Sequence, residues 1–344
     1  MRFLRFLALG VLAVGSIGVA AHAADALPAY KPEQSVSGTI RIWGHDYMSA
    51  VTQYWARGFQ RFHPDARFEI VLKGSATAMP GLYSGAADIA LLGRENNVTD
   101  DNGFGRVKQY KPLRLELMGG SLDEPGKSDA LVVFVHRDNP LARMTLAQLD
   151  AVFGHEHRQG MGRNLRMWDE LGVGGEWAGR LIRLYAYHAD TGTGEFFRNT
   201  TLLGSHKMNW DNLTEYRDRR RSDGTVYLSA EQSIDALRQD RYGMAISSLR
   251  FAHAEVKPIA LATHERGPYF LTTRASLVAR EYPLARRTYA FVDKPPGKPL
   301  DPKIKEFLRY VLSDEGQADV VRDHGYLPLS REVLATQLAQ LEKP

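Results

Sequence analysis

Thr191, Gly192 and Thr193 are the residues whose types and spacing first suggest chemistry. They follow the apolar run of residues 181–187, which reads as a strand, and precede a helical pattern that begins near Gly194. A strand, a turn of small residues and a helix start together aim unpaired backbone N–H groups at an anion. Two threonine hydroxyls can add donors, and a glycine lets an anion approach the backbone closely. The same pattern also fits an ordinary helix N-cap with no ligand.

Two further turns have similar chemistry. Gly44, His45, Asp46 and Tyr47 follow the strand pattern of residues 39–43, and Gly74, Ser75, Ala76 and Thr77 follow that of residues 67–72. A fourth strand, residues 88–92, runs into Gly93 and Arg94. The elements holding these turns alternate between the two periods. A helix with Val51, Trp55, Phe59 and Phe62 on one stripe follows the first turn, and a short helix with Met79, Leu82 and Tyr83 ends at Gly85. Residues 113–118 and 130–135 are strands, separated by a turn-rich loop at residues 121–128. Thr145 with Gln148, and Ser229 with Gln232, read as capping boxes. Asp301 and Pro302 open a helix whose apolar face is Ile304, Phe307, Leu308 and Val311, and Ser313 opens another, closed by Gly325. The βα alternation predicts an α/β fold with mostly parallel sheets, in which ligands gather at strand C-termini and helix N-termini. Two turns precede the 121–128 loop and one follows it. A cleft between two lobes, closed by helix N-termini from both, accounts for that arrangement.

Composition narrows the functional classes. Arg2 and Arg5, an apolar stretch over residues 7–20 and Ala21-His22-Ala23 form a cleavable export signal at residues 1–23. A soluble periplasmic protein of about 320 residues remains, enough for two domains. There is no cysteine, which excludes disulfides, thiolate metal sites and cysteine nucleophiles. The chain has 44 Lys and Arg against 40 Asp and Glu, and two of the arginines leave with the signal, so no pull toward nucleic acid is implied. The run Arg217, Asp218, Arg219, Arg220, Arg221 is local and reads as a solvated loop.

Longer segments carry a family signature. Residues 131–141 (LVVFVHRDNPL) followed by 144–149 (MTLAQL), residues 307–317 (FLRYVLSDEGQ) followed by 325–329 (GYLPL), and residues 282–286 (YPLAR) resemble the periplasmic phosphate-binding proteins of ABC importers. The resemblance spans nearly the whole mature chain. It implies the type II solute-binding fold: lobe 1 from residues 24–128 plus 286–344, lobe 2 from residues 129–285, and a ligand cleft between them. It implies capture of phosphate or a related oxyanion and delivery to an inner-membrane permease. The residues indicate no cofactor and no metal, and a monomer is the default expectation for a protein that must open and close around a solute.

Carried over position by position, the resemblance places Asp46 and Tyr47 in the first ligand turn, where the family's aromatic is kept and its hydroxyl is not. Ser75 matches the second-turn serine, and Thr191, Gly192 and Thr193 match the third turn. The family's serine-aspartate pair falls on Gly93 and Arg94, and its arginine falls on Tyr187 or His188. Arg94 would then donate to the anion, as a fork, where the family has an acceptor. His188 would supply a weaker, pH-dependent positive charge. The expected ligand set is therefore Asp46, Tyr47, Ser75, Arg94, His188, Thr191, Gly192 and Thr193. Two other readings compete. A docking or sensing protein could use the same fold without transport. A phosphoester hydrolase would need a nucleophile with its base or a metal cluster; His155-Glu156-His157 is the nearest to a metal motif, and its spacing does not put both imidazoles on one helix face.

Overall fold

The computed structural model describes residues 29–343. The export signal expected at residues 1–23 lies outside the described residues.

The first lobe alternates strand and helix: β1 (Gly38–Gly44), α1 (Ser49–Gln60), β2 (Ala66–Val71), α2 (Ser75–Tyr83), β3 (Ile89–Leu92), α3 (Val98–Lys108) and β4 (Leu113–Gly119). The second begins with β5 (Val132–His136), β6 (Arg143–Thr145), α4 (Leu146–Phe153), β7 (Arg183–Tyr187), α5 (Gly192–Thr201) and β8 (Leu213–Tyr216). A two-stranded ribbon, β9 (Arg219–Arg220) and β10 (Val226–Tyr227), leads to α6 (Ser229–Gln239), β11 (Gly243–Ser247), β12 (Val256–Pro258), β13 (Ala260–Ala262) and α7 (Arg274–Val278). The chain then returns to the first lobe as β14 (Arg287–Val292), α8 (Pro302–Val311), α9 (Asp314–Arg322) and α10 (Arg331–Glu342).

Each lobe has a five-stranded sheet, in the order β2-β1-β3-β14-β4 and β12-β5-β11-β7-β8. The sheets are mixed. In the first, β1 pairs parallel with β2 and β3, while β14 runs antiparallel to both its neighbours. In the second, β7 pairs parallel with β8 and β11, while β5 runs antiparallel to β11 and β12. The parallel halves come from the strand–helix–strand units that the alternation predicts. The antiparallel halves arise where β5 and β14, the strands that follow the two crossings, insert from the opposite direction.

Separate cores hold the lobes. The first is built around Trp55, Phe59, Phe307 and Tyr310, and its last three helices pack back onto it. Trp55 donates its indole N–H to the carbonyl of Gly316 at 2.9 Å, so this large buried ring has a partner for its one polar atom. The second surrounds Phe153, Trp168, Trp177 and Phe197. The stripe predicted on α1 holds for Val51, Trp55 and Phe59. Phe62 falls beyond the helix end and is half exposed, its ring edge on Tyr30. Thr145 and Gln148 form the predicted capping box. Ser229 does not cap α6; it is the first helical residue, and Asp218 accepts from its N–H and hydroxyl instead.

The two crossings lie side by side between the lobes. Gly120 N–H donates to the Arg286 carbonyl at 2.8 Å, Ala130 N–H to Ser121 at 2.8 Å, and Leu131 N–H to Leu284 at 3.1 Å. Residues 119–131 and 284–287 thus form a short laced hinge. Among the described residues no helix is long and apolar enough to cross a membrane.

Candidate functional site

A cleft of about 480 Å³ opens between the lobes. The turn after β2 reaches it through Gly74, whose φ of 104° is a backbone conformation that glycine adopts without strain and that starts α2. Thr77 N–H closes on Gly74 at 3.1 Å. The N–H groups of Ser75 and Ala76, in the first turn, have no intrahelical acceptor within reach. The Ser75 side chain faces the cleft beside them.

The turn after β7 supplies the opposing helix N-terminus. Thr191 donates its hydroxyl to the His188 carbonyl at 2.8 Å and accepts from Gly194 N–H at 3.0 Å. Glu195 N–H returns to the Thr191 carbonyl at 2.8 Å. Thr191 is therefore the N-cap of α5, with its hydrogen already given away. Gly192 and Thr193 keep the unpaired N–H groups of the first turn. A side chain at Gly192 would meet open space, and Thr193 and Gly192 both line the cleft.

Asp46, Tyr47, Ser75, Arg94, Thr191, Gly192 and Thr193 all line this cleft, and His188 does not. His188 stands beside it, with Arg217 Nη2 at 3.0 Å from its Nδ1 and the Asp190 carboxylate at 3.8 Å. Its imidazole is thus engaged by a surface pair of its own lobe. Asp46 is exposed and sits 2.9 Å from His45 Nδ1. That contact, with the N–H groups of Asp46 and Tyr47, holds its carboxyl below the usual range. An ionised Asp46 on its own turn repels an anion. The expected free fork of Arg94 is not free. Its Nη1 lies 2.7 Å from Asp100 and donates to the Glu95 carbonyl at 2.8 Å, and its Nε is 3.4 Å from Glu195.

Two charged groups with no such partner are on the hinge; Arg250, exposed on the second lobe, also lines the cleft outside any ion pair among the described residues. Arg286, the last residue before β14, is buried. Its Nη2 donates to the Gly93 carbonyl at 2.8 Å, its guanidinium lies 4.5 Å from the centre of the Phe196 ring, and its Nε has no hydrogen-bond partner. Among the described residues no carboxylate lies within 4 Å of it, and burial pushes its pKa down to about 10. Across the cleft floor, Asp129 accepts from the Ser248 hydroxyl at 2.8 Å through Oδ2, while its buried Oδ1 has no partner. Burial raises its pKa to about 6, opposed by Ser248, Ser121 and Arg250 and aided by Asp123. Lys127 and Arg217 also line the cleft but are paired, with Asp323 and Asp190.

Sequence reading missed Asp129 and Arg286. A signal existed for each. Asp129 is a lone carboxylate at the mouth of the apolar run of residues 130–135, and Arg286 ends the YPLAR segment. Both positions are crossings, and crossings form the floor of a cleft between lobes. The structure draws no metal site from His155-Glu156-His157: Glu156 is bound by Lys207, Arg158 and Ser205, and no metal-holding cluster exists among the described residues.

Comparison with known proteins identifies the family and the fold. A family model described as a PBP superfamily domain matches residues 29–315. The phosphate-binding protein PstS of Pseudomonas aeruginosa is 31% identical over 342 residues, covering 99% of this chain and 98% of the relative. Protein SphX of Synechococcus elongatus is 20% identical over 291 residues, covering 83% of this chain and 76% of the relative. Among solved structures, PstS from Borrelia burgdorferi superimposes with a TM-score of 0.57 at 14% identity, covering 86% of this chain and 100% of that one. An ABC-type phosphate transport receptor from Vibrio cholerae gives 0.54 at 16%, covering 84% and 99%. At those identities the structural likeness is one of fold.

Proposed function

The chain belongs to the PBP superfamily, among its phosphate-binding proteins, and from that premise we propose that the cleft captures inorganic phosphate in the periplasm and delivers it to the permease of an ABC importer. The family is one of substrate-binding receptors, not enzymes, and the hydrolase reading is set aside on that ground.

The carrying observation is the buried Arg286 guanidinium, without an acidic partner, at the floor of a cleft where helix N-termini from two lobes converge. A buried cation is costly unless an anion completes it. In this reading Arg286 is the fixed positive anchor. Gly192 and Thr193 donate from the second lobe, and Ser75 and its neighbouring N–H groups donate from the first. Asp129 supplies the acceptor. Above its pKa of about 6 it is ionised, accepts a hydrogen bond from a protonated phosphate oxygen, and repels an anion that carries no proton, such as sulfate. Tyr47 covers the mouth. The protein works as a monomer, because one chain supplies both jaws of the cleft.

Calorimetric titration of the ligand-stripped mature protein with phosphate and sulfate, at pH 5 and pH 8, tests the reading. Phosphate should bind at both values and sulfate should be rejected at pH 8. Absence of heat with phosphate would overturn it.

A further inference from the structure

Arg94 raises a question that phosphate capture leaves open. It is a guanidinium in the cleft wall with its charge already spent. Asp100 neutralises it from within the first lobe at 2.7 Å, and both side chains are more than nine-tenths buried. Asp100 is itself fixed by the capping box of α3: its N–H donates to the Asn97 side chain at 2.7 Å, and Asn97 N–H donates back at 3.1 Å. This cluster would be complete without the second lobe. Yet Glu195, in the first turn of α5, reaches across and joins it. Glu195 Oε2 is 3.4 Å from Arg94 Nε, and Oε1 accepts from Asn97 Nδ2. The carboxylate therefore sits between two helix N-termini, its own and that of α3, where both macrodipoles favour a negative charge.

We propose that Glu195 with Arg94 and Asn97 forms a clasp across the cleft, which favours the closed arrangement of the lobes and sets how fast a bound anion leaves. The proposal rests on the phosphate-capture reading for its release rate, though not for its effect on lobe closure. The geometry suits a reversible contact. When the lobes part, Arg94 keeps Asp100, so no charge is stranded. Glu195 is already about one-fifth exposed and passes readily into water. A clasp of this kind is weak by construction, because Arg94 shares its charge between two carboxylates and the bridge is partly wet. Its location also matters. Glu195 lies two residues beyond Thr193, so the turn that donates to the anion and the group that closes the lobes belong to one helical turn. Glu195 is a positioning residue: it acts on the site through Arg94 and Asn97 and does not itself meet the ligand.

The test combines an interlobe distance measurement by paired spin labels, one on each lobe, with stopped-flow binding of inorganic phosphate. Glu195→Gln should move the ligand-free distance distribution outward and raise the phosphate off-rate about three- to tenfold, with little change in on-rate. Asn97→Asp keeps an acceptor for the α3 cap and places like charge against Glu195, so it should open the lobes at least as far. The double variant Asn97→Asp with Glu195→Gln restores a donor–acceptor pair and should return both readouts toward wild type. A merely structural role for either residue predicts additive damage and no rescue. Unchanged distances and off-rates in Glu195→Gln, or absence of rescue in the double variant, would overturn the clasp. Failure of wild type to bind phosphate would defeat the capture reading instead, and the distance measurement would still decide the clasp.

Discussion

The helix-opening turns and the hinge crossings meet in one cleft, but they bring different goods to it. The turns bring dipoles. Ser75, Gly192 and Thr193 offer hydroxyls and N–H groups, and the charged residues near them are satisfied by neighbours: Asp46 by His45, Arg94 by Asp100 and Glu195, His188 by Arg217. The crossings bring charged groups outside any close ion pair, Arg286 and Asp129, each with a buried polar atom that has no hydrogen-bond partner. Dipoles are cheap to hold open, because water can solvate a turn when the lobes part. A bare buried charge is expensive to hold, and the crossings that hold it are tied to each other by backbone hydrogen bonds. The division suggests that the rigid hinge carries the electrostatics, whereas the mobile jaws supply shape and hydrogen-bond count.

The largest effect should follow from removing the hinge cation. Arg286→Gln is expected to lose about 2–5 kcal/mol of phosphate binding, roughly thirty- to several-thousand-fold, because the anion loses a desolvated charged partner. Arg286→Lys should recover part of it, a point charge replacing a fork; both are read by calorimetry. Next in size is the hinge acid. The folded-state pKa of Asp129 is raised, so its contribution to stability is fully present below about pH 4 and is lost as pH rises through about 6. Asp129→Asn removes that loss. The variant should gain about 2–3 kcal/mol relative to wild type between pH 4 and pH 7, followed by urea unfolding. Selectivity should change with it: wild type should bind sulfate better as pH falls through about 6, and the variant should bind sulfate with little pH dependence. A flat wild-type profile would remove Asp129 from the selective role.

The jaws should respond less. Thr193→Val deletes one hydroxyl donor and should weaken phosphate by about 0.5–1.5 kcal/mol, whereas Thr191→Val, which deletes a cap, should lower stability by about 1 kcal/mol with a smaller effect on the intrinsic affinity. If Thr191→Val proved the more damaging to binding, the distinction between cap and donor would fail. The smallest effect belongs to His188→Gln, for which affinity should stay within twofold and show no new pH dependence.

Much of this was legible in the residues. Strand-turn-helix spacing located the α2 and α5 N-termini, because small residues between an apolar run and a helical stripe have few other uses. The positions of the lone polar groups were legible; their partners were not. Arg94 is adjacent to a strand end in any reading, and only the fold shows that Asp100, six residues on in the first turn of α3, and Glu195, about a hundred residues away, take its charge. His188 illustrates the same limit: alternation along β7 leaves its side chain at the rim, where the β8–β9 loop brings Arg217 to it. Asp129 and Arg286 escaped notice because each ends a segment that reads as scaffold. Their significance comes from the pairing of two crossings far apart in the chain, which no local pattern encodes. Ser229 shows the effect at small scale, since a serine with a glutamine three residues later satisfied the capping rule, yet it is the first helical residue and its N–H donates to Asp218, just before the ribbon.

One comparison tests the central claim directly: phosphate titration of Arg286→Gln and Arg94→Gln, side by side at pH 8, with folding checked by thermal unfolding. If the hinge carries the anion's charge, Arg286→Gln loses binding by at least thirtyfold while Arg94→Gln, which loosens the clasp and leaves the buried Asp100 without its cation, lowers stability but stays within about tenfold of wild type in binding. The reverse order would return the anchor to the jaw and contradict the account.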